Sequence, residues 1–291
     1  MRHLAVLGPG LLGGSVALAA RASGVTDKVS LWARRSEALG ELRSSNVADI
    51  VSDDICDVVS NADLVVIATP VGALKGVLDM ALPYLAEDAV ITDVCSVKGV
   101  VVSTADERIL LAKRQDVAFV GAHPMAGSEL TGFSNARADL FSGAACAITP
   151  GESTTESAEK RVREFWGLLG CHLIGLEPDD HDALVAKISH LPHLCASALV
   201  QTAVAGDTRA VELAGAGFRD STRIALGSPA MWTEILGENR EAVSEVLSEH
   251  IKELAEVLEI LRGNDNEGLS RFLEDAKNHR NALVVSSAKE Q

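Results

Sequence analysis

Apolar positions in the first half of the chain fall into runs of four to six residues, separated by stretches with helical spacing. Leu4–Leu7, Val29–Trp32, Asp63–Ala68, Ala89–Val94, Val117–Ala122, Ala145–Ile148 and Cys171–Leu176 read as strands. The 63–68 segment is apolar without alternation after its first residue, as a strand covered on both faces requires. Leu11–Ala22 reads as a helix closed by Gly24, and Ser153 with Glu156 has capping-box spacing ahead of a helix over 158–169. This alternation predicts an α/β domain built on a parallel, doubly wound sheet. Past Pro178 the strand signals fade. Val243, Leu247, Ile251, Leu254, Leu258 and Leu261 follow one another at spacings of three and four, the mark of an amphipathic helix, and Asn264-Asp265-Asn266 reads as a turn between helices. The expectation is an α/β domain over 1–176 followed by an all-helical domain over 177–291.

Composition narrows the function classes. The chain has 291 residues with 26 Lys and Arg against 41 Asp and Glu, a net charge of −15. No basic footprint for nucleic acid is expected, and 3% aromatics argue against base stacking. The cysteines, Cys56, Cys95, Cys146, Cys171 and Cys195, are odd in number and form no C-x-x-C pair, so neither a disulfide framework nor a zinc site is expected. Gly8, Pro9, Gly10, Gly13 and Gly14 interrupt the apolar N-terminus and no small-residue cleavage site follows it, so no signal peptide is expected. No run of about 18 apolar residues stands out, so no membrane span is expected and the cytoplasm is the default compartment.

Gly8-Pro9-Gly10-Leu11-Leu12-Gly13 matches G-x-G-x-x-G between a strand and a helix, the context in which that pattern binds a dinucleotide. The first glycine makes the tight turn, the second lets backbone approach the pyrophosphate, and the third lets helix pack on strand. The first domain is therefore expected to be Rossmann-type, with Thr69 and Pro70, at the end of the 63–68 strand, joining the cofactor site. The second strand ends Leu31-Trp32-Ala33-Arg34-Arg35-Ser36, with arginines where an NAD site usually offers a carboxylate to the ribose. Arg34, Arg35 and Ser36 suit a 2′-phosphate, so NADP is favoured and NAD remains possible.

Four further segments carry chemistry: Ser96-Val97-Lys98-Gly99, Gly121-Ala122-His123-Pro124-Met125-Ala126-Gly127-Ser128-Glu129, Ser189-His190-Leu191-Pro192-His193 and Asp220-Ser221-Thr222-Arg223-Ile224-Ala225. Together with the glycine loop, and in this order, they resemble the prephenate/arogenate dehydrogenase family. The resemblance implies nicotinamide-dependent oxidation and decarboxylation of a cyclohexadienol on the way to tyrosine. It implies that His123 accepts the ring-hydroxyl proton, that Ser96 positions this histidine and the hydroxyl, that Arg223 pairs with a substrate carboxylate, and that His190, His193 and Ser128 stand at the substrate pocket. It also implies a homodimer formed through the helical domain. The chemistry of the side chains agrees: imidazole transfers protons near neutrality, and a guanidinium fork grips a carboxylate through two hydrogen bonds. Glu129 could close the site or recognise the ammonium group that distinguishes arogenate from prephenate. His181 and Trp232 also match positions of the family; His181 reads as a helix-start residue and Trp232 as core or interface, neither with assigned chemistry. No regulatory domain is expected after Gln291, and no metal is needed.

Two other readings compete. A 3-hydroxyacid-type dehydrogenase would need a lysine base, for which Lys187 is the obvious candidate. A non-catalytic dinucleotide sensor could dispense with His123, Ser96 and Arg223, all of which are present.

Overall fold

The computed structural model describes residues 1–128, 130–205 and 209–288, the side chains of Ser36, Val211 and 283–288 excepted. The chain divides into two compact units, Met1–Arg240 and Glu241–Gln291.

The first unit is organised by an eight-stranded sheet. In chain order the strands are β1 (His3–Leu7), β2 (Lys28–Trp32), β3 (Ile50–Ser52), β4 (Leu64–Ile67), β5 (Val90–Asp93), β6 (Ala118–Pro124), β7 (Ala145–Pro150) and β8 (His172–Gly175), and the sheet order is 3-2-1-4-5-6-7-8. Seven strands lie where the apolar runs put them; β3 has no such run. The sheet departs from the all-parallel expectation at one edge. β7 pairs antiparallel with β6, Ala122 facing Ile148 and His123 facing Ala147, so β7 and β8 run against the first six strands. Among the described residues only a short 3₁₀ turn, Phe133–Asn135, lies between β6 and β7. The intervening loop returns beside the strand it left, which gives an antiparallel neighbour.

Alternate residues of β1 serve opposite faces. Leu4 and Val6 join a core with α1 (Leu11–Ser23), α2 (Ser36–Ser44) and the helix Glu156–Leu168, whereas Ala5 and Leu7 join a second core with Ile55–Val59, Leu74–Ala81 and Gly99–Leu111. Helices on both faces make the sheet doubly wound. The remaining helices of this part are thereby α3 (Ile55–Val59), α4 (Leu74–Ala81), α5 (Gly99–Leu111) and α6 (Glu156–Leu168). The cap of α6 is Thr155, whose hydroxyl accepts from the Ala158 N–H at 3.2 Å; Ser153 instead bonds Asp106, so the expected capping box does not form.

After β8 the described residues form helices and the turns between them. α7 (Pro178–Val185), a π-turn at Ala186–His190 and α8 (Leu191–Val204) form one continuous helix. Pro192 has no N–H for the Ile188 carbonyl, and its ring would press on that carbonyl in a regular helix. Widening the preceding turn, so that the Leu191 N–H reaches the Ala186 carbonyl, relieves this and re-aims Ser189 and His190. By length and composition alone this helix could cross a membrane, contrary to the expectation above, because its last seventeen residues carry no charged side chain other than histidine. It is also the helix that carries His181, Asp182 and Ser189 to the site described next. α9 (Arg209–Glu212), α10 (Ala216–Thr222) and α11 (Pro229–Glu238) complete this part. In the second unit, α12 (Arg240–Arg262) runs to a turn in which Asn264 has φ +52° and the Asp265 carboxylate accepts from the Gly268 N–H at 2.9 Å; α13 (Asn266–Ala288) follows.

Candidate active site

At the C-terminal ends of the strands lie two cavities of about 580 and 760 Å³. Both are lined by Gly10, Ala68, Thr69 and Pro70.

The larger cavity fits the adenosine half of a dinucleotide. Gly8 has φ +95°, and a Cβ there would meet the Ala68 carbonyl oxygen at 2.8 Å; a Cβ at Gly13 would overlap the Gly8 carbonyl oxygen. These two glycines are required by the protein's own packing. Gly10 is different, because nothing lies within 4 Å of a Cβ built on it. It lines both cavities and precedes α1, which begins at Leu11 without a side-chain cap and so offers its first N–H groups to an anion. Thr69 also lines both cavities, and its buried hydroxyl has no hydrogen-bond partner among the described residues. These features fit a pyrophosphate and its sugars. Arg34 and Arg35 are exposed on the wall beyond them, at the start of α2. The side chain of Ser36 and all of Glu129 lie outside the described residues.

The smaller cavity gathers Leu11, Leu12, Thr69, Ser96, His123, Ser128, Ser189, Arg223 and Trp232. Ser96 follows β5 and His123 ends β6, and a buried ion pair fixes both strand ends. Lys98 and Asp93 are wholly inaccessible. The Lys98 ammonium donates to Asp93 Oδ2 and, at 2.9 Å, to the Ala122 carbonyl. Asp93 in turn accepts from the Cys95 N–H at 2.8 Å and the Ala122 N–H at 3.0 Å. Every charge in this pair has its hydrogen bonds, the condition under which a buried pair is tolerated.

His123 is buried, and its Nδ1 lies 2.8 Å from His181 Nε2. His181 Nδ1 lies 2.8 Å from Asp182 Oδ1. Asp182 also accepts from the Lys98 N–H at 2.7 Å and the Gly99 N–H at 2.9 Å, the first N–H groups of α5. Burial disfavours ionisation of Asp182, but the His181 ring and these two backbone donors outweigh it and hold its carboxyl below the ordinary value. Burial, reinforced by His181, Lys98 and His190, pushes His123 well below the ordinary imidazole range, so the ring is neutral at pH 7.

His190 and His193, expected at the substrate, do not line the cavity. Their shared helical face turns toward α11. The His193 ring stacks on Trp232 with centroids 3.6 Å apart and planes 11° from parallel, while Asn239 Nδ2 lies 3.2 Å from His190 Nδ1. The widened turn before Pro192 presents Ser189 instead. Burial lowers His190 to about 4 and lowers His193, where a hydrogen bond to the Ile224 backbone opposes it. Glu234, also of α11, accepts from the Gly72 N–H at 3.3 Å and so ties this helix to the loop after Pro70. The part played by His181 and Asp182 was not visible in the sequence. The signs are the match of His181 to a family position and a His-Asp pair in the first turns of a helix, 58 residues from His123.

The prephenate dehydrogenase nucleotide-binding profile matches residues 16–175 and the prephenate dehydrogenase dimerization profile matches residues 177–275. The chain belongs to the prephenate dehydrogenase family. It is thus a nicotinamide-dependent oxidoreductase of the kind that oxidatively decarboxylates prephenate or arogenate. The prephenate dehydrogenase of Bacillus subtilis is 33% identical over 96% of this chain and 75% of its own. The Aquifex aeolicus prephenate dehydrogenase, solved with hydroxyphenyl propionate and NAD+, superposes with a TM-score of 0.88 at 31% identity, over 96% of this chain and 97% of its own. Synechocystis arogenate dehydrogenase superposes with a TM-score of 0.81 at 28% identity, over 96% and 99%. The family's two named substrates are thus both represented among relatives of similar distance.

Proposed function

We propose that His123 is the general base of this dehydrogenase and that the two cavities are its substrate and cofactor sites. The carrying observation is a neutral, buried imidazole at the end of β6, lining a cavity that also holds Arg223 and the start of α1. The nicotinamide ring, when bound, takes hydride from the ring carbon that bears the hydroxyl. The hydroxyl proton passes to His123 Nε2, the ring nitrogen not engaged with His181. Ser96 orients the hydroxyl. The Arg223 guanidinium holds a carboxylate of the substrate, and loss of the ring carboxylate as carbon dioxide aromatises the ring. Ser128, whose hydroxyl accepts from the Leu130 N–H at 3.1 Å, shapes the loop over the cavity. His190 and His193 support its far wall through Trp232.

For the cofactor, Gly8, Gly10, Leu11, Leu12, Gly13, Thr69 and Pro70 hold the pyrophosphate and sugars. Arg34, Arg35 and Ser36 favour NADP over NAD, since β2 ends at Trp32 without a following carboxylate. Residues 177–291 serve substrate binding and homodimer formation. Leu184, Ile188, Leu199 and Leu226 expose apolar surface on helices there, the kind of face a second copy covers. The enzyme is assigned to the cytoplasm, like a biosynthetic oxidoreductase with free thiols. The test is cofactor reduction by the purified protein with prephenate or arogenate, each crossed with NADP and NAD. Turnover that is best with NADP supports the reading. Binding of NADP without turnover on either substrate overturns the catalytic part.

A further inference from the structure

The base is the end of a chain of three side chains, His123, His181 and Asp182, joined by two contacts of 2.8 Å. The direction of each hydrogen bond follows from the far end. Asp182 holds two backbone N–H groups of α5 as well as the His181 ring, and it is ionised. An ionised carboxylate only accepts, so His181 Nδ1 carries a proton. In the arrangement proposed below His181 carries only this proton, so its bare Nε2 accepts from His123 Nδ1. That leaves His123 with a bare Nε2 for the cavity, the tautomer a base requires.

Resting on the dehydrogenase reading above, we propose that His181 and Asp182 are positioning residues that fix this tautomer and store the substrate proton during turnover. Proton bookkeeping gives the reason for a store. As the ring carbon is oxidised, the hydroxyl proton moves to His123 Nε2 while the His123 Nδ1 proton moves to His181 Nε2. The positive charge then sits on His181 against the Asp182 carboxylate, rather than on His123, where the Lys98 charge opposes it. When the carboxylate leaves as carbon dioxide, the electron pair of the broken C–C bond aromatises the ring and the oxygen becomes a phenolate. That oxygen takes a proton back from His123 Nε2, and His181 returns its own. Prephenate and its cofactor give product, carbon dioxide and reduced cofactor with no net proton released, so the proton is only borrowed and must stay within reach. Burial alone would make His123 a poor place to keep it.

Nitrogen-15 NMR of the histidine rings at pH 7 tests this on the wild-type protein without turnover. The expected spectrum has His123 and His181 both protonated at Nδ1 and bare at Nε2. An Nε2 proton on either ring overturns the proposal. Two variants then separate positioning from folding. His181→Gln can still accept from His123 Nδ1 but cannot take the proton. Its kcat is expected to fall about 100-fold with KM within about twofold, and with the His123 tautomer unchanged. Asp182→Asn removes the reason for His181 to point its proton outward, so the His123 tautomer is expected to shift to Nε2–H and kcat to fall at least as far. Retention of wild-type kcat in His181→Gln overturns the store. Loss of dinucleotide affinity and thermal stability in both variants, with the wild-type tautomer kept in Asp182→Asn, assigns the pair a purely structural role and overturns it too. If wild type turns over neither substrate, the dehydrogenase reading fails, whereas the tautomer result judges the hydrogen-bond chain by itself.

Discussion

The two cavities share a rim but are built by opposite means. Behind His123 a set of polar groups is buried and bonded: Lys98 to Asp93 and Ala122, Asp182 to α5 and His181, and His181 to His123. Around Arg34 and Arg35 the side chains are exposed to water. A buried network admits one arrangement, so the chemistry is set there by structure. An exposed arginine can be gained or lost at little structural expense, so cofactor choice is set where the fold is least constrained. Breaking the Lys98–Asp93 pair should therefore damage folding, whereas substitutions at the second site should change only binding.

The largest effect is expected from Lys98→Met. It strands Asp93 in the interior and should lower unfolding free energy by about 3–5 kcal/mol in urea denaturation, losing activity with it. A loss below about 1 kcal/mol would erase the contrast between the sites. Acid should also attack the catalytic end. His190 falls from 6.5 to about 4 on folding, so it is neutral in both states above pH 6.5. Below that the unfolded chain takes up a proton that the native site refuses. The stability held by neutral His190 is complete above 6.5 and lost progressively down to 4, by about 3 kcal/mol. His123 shifts in the same direction. Urea midpoints at pH 7 and pH 4, with His190→Gln flattening the difference, check the sign.

The nucleotide loop offers a sharper test. Gly10→Ala places a methyl group where no protein atom lies within 4 Å. Thermal stability should stay within about 0.5 kcal/mol of wild type while dinucleotide dissociation rises about tenfold or more, read by fluorescence titration. The smallest expected effect is that of Arg34→Ala: unchanged stability, KM for NADP raised about tenfold and KM for NAD unmoved. An equal rise for both cofactors would remove the 2′-phosphate reading.

The sequence was legible where one segment does one job. The apolar runs of β1, β4 and β5 are strands because both faces are covered, and the glycine loop can be read because each glycine answers a separate steric demand. Three things were not legible. β3 is three residues at a sheet edge, too short for a pattern. The reversal of β7 depends on how a loop returns, which periodicity does not encode. His181 and Asp182 look like ordinary helix-start residues, because their partners, His123 and the N–H groups of Lys98 and Gly99, come from strands and helices far back in the chain. The histidines with the clearest motif, His190 and His193, turned out to stand behind Trp232, since an i, i+3 face shows which residues go together and not what they face.

The central claim is that a neutral His123 at the end of β6 removes the hydroxyl proton. The most direct test measures reduced nicotinamide and carbon dioxide together, for wild type and His123→Gln, with saturating cofactor at pH 7. The account predicts one carbon dioxide per reduced cofactor in wild type. It predicts a fall of about 10²–10⁴ in kcat for the variant, with dinucleotide affinity retained. A variant that keeps wild-type kcat would contradict it.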